Sequence, residues 1–176
     1  MRLLIGAIIA LVIVSPAIAG IEKLSEVAWW AAYGGTREDG AFVCAMVTVT
    51  PENQDRKFII EHVVGTKALT IRLLKSTWTI PAGTSTEFTV KFGYVKAVPL
   101  VAMGEGAEMK SLFPLAQASS FLSGFRSTAS LEIDFQRGNE PPWSLSTGGE
   151  GFVEPDFIKC IKMNAPQATH PPTQPY

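Results

Sequence analysis

Residues 68–75, ALTIRLLK, put Leu69, Ile71 and Leu73 on one side of an extended chain and Thr70 and Arg72 on the other, with Leu74 out of step. Successive side chains of a strand point to opposite faces, so this is a strand with one buried and one wet face. The same alternation recurs at Phe88, Val90 and Phe92 against Glu87, Thr89 and Lys91, and at Leu131, Ile133 and Phe135 against Glu132 and Asp134. Alternation of this kind belongs to antiparallel sheets covered on one side only.

Working outward, segments rich in β-branched and aromatic residues appear at 27–33 (VAWWAAY), 42–49 (FVCAMVTV), 57–64 (KFIIEHVV), 86–92 (TEFTVKF), 98–103 (VPLVAM) and 130–135 (SLEIDF), divided by Gly, Pro and Thr. Many short strands with turn residues between them predict an all-β fold, specifically an antiparallel β-sandwich. Two segments read instead as short helices. In residues 118–125 Phe121, Leu122 and Phe125 share a side, although Gly124 weakens the helix. Residues 155–163, PDFIKCIKM, open on the Pro-Asp pair of a first turn and carry Phe157, Cys160 and Ile161 together, so the last helix is C-terminal.

The ends of the chain differ from its middle. Met1 and Arg2 precede an apolar run from Leu3 to Val14, and Ala17-Ile18-Ala19 is a small-x-small cleavage sequence. Residues 1–19 therefore read as a secretory signal peptide, and the 16 residues from Leu3 to Ile18 are too few to span a bilayer as a helix of about 20 residues. From residue 164 the composition turns to Pro, Gln and Thr, so 164–176 is expected to be a solvated, disordered tail and 20–163 a single domain.

Loss of Arg2 leaves 14 basic against 16 acidic residues, and no run of like charge is present. That balance gives nucleic acid or an anionic bilayer no reason to be a partner. Cys44 and Cys160 are the only cysteines. In an exported chain they are expected to form one disulfide; two buried thiols or a metal pair are the alternatives, and neither cysteine has the close neighbour that CxxC chemistry requires.

Motifs that fix a chemistry are missing. The histidines are His62, on the opposite strand face from Glu61, and His170 in the tail, and no GxSxG or HExxH occurs. Glu105, Glu108, Glu38 and Asp39 are too scattered for a cation loop, and MGEGAE (103–108) lacks the residues of a phosphate loop. No cofactor or metal is expected. Paired carboxylates can hide in a sandwich, so Glu132 with Asp134, and Glu140 beside Trp143, are the candidates for a carbohydrate-active enzyme.

Four tryptophans remain as evidence. Trp29 and Trp30 point to opposite faces, so one belongs to the core and the other is exposed, while Trp78 plugs the core or a sandwich edge. Trp30, Trp143 and Glu140 are the candidates for a binding surface. The last two lie in RGNEPPWSLSTGGEG (137–151), which reads as a turn, a short strand WSLST and a Gly-rich reversal into the terminal helix. Glu140 has no role in that account.

The order of WWAAYGGTREDGAFVCAMVTV, LTIRLLKSTWTIPAGTSTEFTVKF, FLSGFRSTASLEIDF and GNEPPWSLSTGGEGFVEPDFIKCI resembles small exported proteobacterial proteins, in particular the invasion-associated locus B family and more distantly the periplasmic accessory proteins of type VI secretion. The resemblance spans roughly residues 28–162. Members of that family typically carry additional cysteines, and this chain has two. The resemblance implies a periplasmic or secreted protein of a Gram-negative bacterium, without enzymatic activity. It supplies no catalytic residues. The expected role is a binding or structural accessory module whose partner is another envelope protein; a sugar enzyme and a carrier of a small apolar ligand are the alternatives.

Overall fold

The computed structural model describes residues 20–49, 55–94 and 96–165, so the expected signal peptide and nearly all of the Pro-rich tail lie outside the described residues. Ten antiparallel strands form one hydrogen-bonded sheet: β1 (Gly20–Val27), β2 (Trp30–Thr36), β3 (Phe42–Val49), β4 (Arg56–Val63), β5 (Ala68–Lys75), β6 (Ile80–Phe92), β7 (Lys96–Gly106), β8 (Glu108–Pro114), β9 (Ser130–Phe135) and β10 (Trp143–Ser146). Their spatial order is β1-β2-β3-β4-β5-β8-β7-β6-β9-β10. A 3-10 turn (Leu115–Gln117) leads into α1 (Ala118–Arg126), and α2 (Glu150–Asn164) closes the described chain.

The β7–β8 hairpin is where the sheet divides. Its ladder holds only Met103↔Lys110, Gly104↔Met109 and Glu105↔Glu108. Beyond those pairs β7 stays with β6 and β8 stays with β5. Two leaves result, β1-β2-β3-β4-β5-β8 and β7-β6-β9-β10, packed face to face as the expected sandwich. The alternation read from β5 is borne out: Leu69, Ile71 and Leu73 are buried, as are Phe88, Val90 and Phe92 on β6 and Leu131 and Ile133 on β9. Burial of a side chain of this size stabilises by about 1.5–3 kcal/mol relative to leaving it in water.

The open mouth between the leaves is filled by α1. Phe125 lies edge-on to Trp30 of β2 at 5.5 Å between ring centroids and to Phe92 of β6 at 5.0 Å, so one side chain bridges both leaves. Phe121 does the same between Phe92 and Phe113. Gly124, which weakens the helix taken alone, is demanded by packing: a Cβ there would sit 2.8 Å from the Phe92 ring.

The second leaf is shorter than the first, and α2 continues its layer over β1, β2 and β3. The predicted disulfide is present: Cys44 on β3 joins Cys160 on α2 across 116 residues, with Cα atoms 5.9 Å apart. Gly149 starts the helix with φ of 97°, and its backbone runs so close to the Val27 carbonyl that no Cβ would fit. The Trp30 indole N–H donates to the Ser146 carbonyl at 2.9 Å, which ties β2 to the far end of β10.

Several boundaries differ from expectation for identifiable reasons. The strand expected at 27–33 is β2 at Trp30–Thr36, because residues 28 and 29 turn the chain back from β1. Strand β1 was not expected: a bulge between Lys23 and Ser25 breaks its alternation. Strand β8 was hidden because Ser111, a polar residue, points inward and Leu112, an apolar one, points out. Helix α2 begins at Glu150 rather than at Pro155, which lies inside it.

Candidate functional site

Glu140 stands on the loop between β9 and β10, and its carboxylate is the hub of the corner where the two leaves meet. Lys75, at the end of β5, donates to both oxygens at 3.0 and 2.8 Å. The Trp143 indole N–H donates to Oε1 at 2.8 Å and the Trp78 indole N–H to Oε2 at 3.0 Å. Arg56, at the start of β4, adds a cation 3.4 Å from Oε1 and lies 5.4 Å from the centre of the Trp143 ring. The two indoles are stacked, with centroids 5.2 Å apart, and Phe135 stands edge-on to each.

Burial alone pushes the Glu140 carboxyl up. Hydrogen bonds from Lys75, Trp143 and Trp78, with the charge of Lys75, outweigh it and hold the group below its ordinary value. An ionised carboxylate whose acceptor sites are already taken by three donors cannot serve as a general acid, and it has no free lone pair aimed at a substrate. Glu140, the residue without a role in the sequence reading, is therefore a clasp between β4, β5 and the β9–β10 loop.

The other candidates are placed as follows. Trp143 and Trp30 are both fully buried, so neither offers a surface to a partner. Of the first tryptophan pair it is Trp29, in the β1–β2 turn, that is exposed, at 43%. The expected division into one core and one exposed residue holds, but it comes from the turn at residues 28 and 29 and not from alternation along one strand. Glu132 and Asp134 lie on the outer face of β9, and Lys91 of β6 pairs with both, at 3.0 and 2.8 Å. His62 is buried and its Nδ1 lies 3.0 Å from the Ala68 carbonyl oxygen, so it is a core residue. Glu61 does point the other way, as expected.

Sequence reasoning missed a second ionic array on the outer face of the larger leaf. Glu61 of β4 is paired with Arg37 at 3.4 Å and Arg72 of β5 at 3.0 Å, Arg72 continues to Glu108, and Glu108 to Lys110 of β8 at 3.1 Å. Cross-strand register brings these residues together. No local spacing could have signalled it, since β5 and β8 are separated in sequence by two whole strands.

Two further surface features stand out. On the outside of the β7–β8 corner Val101, Met103 and Leu112 are 62%, 52% and 74% exposed. Val101 and Leu112 hold the next outward positions just past the last ladder pair, where the edge of β7 from Lys96 to Ala102 no longer meets β8. Pro99 lies within that stretch, at a position where a strand edge tolerates a residue without an N–H. Elsewhere, an open cleft of about 540 Å³ runs between β1 and α2 beside the disulfide, lined by Leu24, Phe42 and Met163 among others. The space between the leaves is occupied by Trp30, Phe58, Phe88, Phe92, Phe121 and Phe125, all fully buried.

Among the described residues no three His, Cys, Asp or Glu side chains are grouped to hold a metal ion, and no helix is long and apolar enough to cross a membrane. The chain matches no protein-family model, no curated protein and no solved structure.

Proposed function

We propose that the protein is a non-enzymatic accessory module of the bacterial envelope, exported and oxidised, which binds another envelope protein through the outer face of the β7–β8 corner. The observation that carries this reading is the set of exposed apolar side chains Val101, Met103 and Leu112 beside the edge of β7 that β8 leaves open. Exposed apolar side chains beside an open strand edge are what a docking partner covers. The Cys44–Cys160 disulfide supports an oxidising compartment. The carboxylates put forward for sugar chemistry support the non-enzymatic side, because each is committed to a cation: Glu140 to Lys75 and Arg56, Glu132 and Asp134 to Lys91.

The test is position-specific crosslinking. A photo-reactive amino acid is introduced at Leu112 and, as control, at Thr89 on the outer face of β6, and both proteins are irradiated in envelope extract. A discrete adduct at Leu112, absent at Thr89 and lost when Val101→Asp is added, supports the reading. Equal labelling at the two positions, or none at either, refutes it.

A further inference from the structure

Two acidic side chains are buried together at the start of α2, where neither the clasp nor the proposed docking face uses them. Glu150 is 1% exposed and Glu154, one turn on, is 7% exposed. Glu150 precedes Glu154 by four residues on α2, and its Oε1, itself buried, has no hydrogen-bond partner. Arg126 of α1 supplies the one cation, 2.5 Å from Glu154 Oε2. The charged groups acting on Glu150 are Glu154 from its own helix and Arg126 from α1; the end of β1 contributes the Val27 carbonyl against Gly149, and Thr147, just after β10, contributes a carbonyl that accepts from the Glu150 N–H at 3.1 Å.

With both carboxylates ionised, two negative charges would face one arginine in a dry corner, and a proton on one of them relieves that repulsion. Two backbone features bracket this turn. Gly149 precedes it in a left-handed conformation, and Pro155, which has no N–H, interrupts the helical ladder behind it. The remainder of α2 is held to β3 at Cys160.

We propose that residues Glu150–Glu154 form a proton-dependent latch, closed over the β1–β2 turn when Glu150 holds a proton and released between Gly149 and Pro155 when both carboxyl groups ionise. Burial and the neighbouring Glu154 charge push the Glu150 carboxyl up to about 7, against the opposing charge of Arg126. In the released turn the group returns to its ordinary value of 4.5. The closed form therefore binds the extra proton, so closure is fully favoured below 4.5, weakens as pH rises to about 7 and is constant above it. At about tenfold per pH unit that interval weakens closure by up to roughly 300-fold. This inference goes beyond the docking reading and stands or falls separately from it.

The test is amide hydrogen exchange on the oxidised full domain at several pH values from 4.5 to 8.5, corrected for the intrinsic pH dependence of exchange. Protection of amides 152–154 is expected to fall by up to roughly 300-fold across the lower part of that range, while protection of 158–163, next to the disulfide, changes little. Glu150→Gln is expected to remove the pH dependence. Should that variant fold poorly, side-chain carbon NMR of the wild-type Glu150 decides instead. Titration near 7 supports the latch; an ordinary carboxylate titration, or protection of 152–154 that is flat with pH, overturns it.

Discussion

Replacing Glu140 by Ala tests the clasp most directly. The substitution strips the acceptor from two indole N–H groups and leaves Lys75 and Arg56 without their anion, in a corner where their side chains are 18% and 14% exposed. A buried donor left unpaired costs about 1–3 kcal/mol, and removal of one partner of a buried ion pair costs about 3–5 kcal/mol. These losses overlap rather than add, and the 15% exposure of Glu140 lets water reach part of the corner. The expected destabilisation is about 3 kcal/mol, which for a domain of this size lowers Tm by roughly 10 °C. Glu140→Gln should recover little, since its amide NH2 would face donors and its single carbonyl oxygen cannot serve three of them.

Urea unfolding at pH 7, followed by tryptophan fluorescence, measures the loss. Near-ultraviolet circular dichroism adds a local readout, because the stacked Trp78 and Trp143 rings couple and their signal should collapse in the variant. The Glu140 carboxyl is held below its ordinary 4.5 in the folded protein. Its contribution is thus present above that value and lost as pH falls through the lower folded one, so wild type and variant should converge in acid. A loss below about 1 kcal/mol at neutral pH, or an undiminished difference at acid pH, would refute the clasp.

Other substitutions probe the remaining contacts. Gly124→Ala should destabilise although Ala is the better helix former by about 1 kcal/mol, because the Phe92 ring is enclosed by Phe121 and Phe125 and cannot yield; an overpacking cost of about 1–3 kcal/mol is expected in thermal melts. Cys44→Ser with Cys160→Ser removes a link that closes 116 residues and should cost at most about 5 kcal/mol. Denatured, unreduced wild-type protein should show no titratable thiol. Glu150→Gln should be more stable than wild type at pH 8 by at most about 3 kcal/mol and equal to it near pH 4, since the wild type loses stability as pH rises through that interval; chemical denaturation at the two pH values measures it.

How much could be read in advance is visible in particular residues. The inward triplets of β5 and β6 were legible because period-two alternation is a local property of the backbone, and their burial matches it residue by residue; on β9 Leu131 and Ile133 follow it and Phe135 is partly buried. Strand β8 was not legible, since its Ser111 is inward and its Leu112 outward, an inversion that makes sense only at a corner where the inner leaf divides and the outer face is apolar. Helix α2 was found but started late, because the Pro-Asp pair that favours a first turn here sits one and a half turns inside it.

The candidate site divides in the same way. Sequence marked Glu140 and Trp143 as a local pair, and could not supply Lys75, Trp78 and Arg56, which arrive from 65, 62 and 84 residues away. By itself the sequence determined that the chain is antiparallel and mostly β, that it ends in a helix carrying Cys160, and that Cys44 is the available partner, for these depend on alternation, capping and count. Tertiary structure decided which face of the Trp29-Trp30 pair is core, that Glu140 is spent on holding two leaves together, and that Glu150 and Glu154 share one buried corner. Those outcomes depend on which distant strands become neighbours, and electrostatic and packing energies act between neighbours in space.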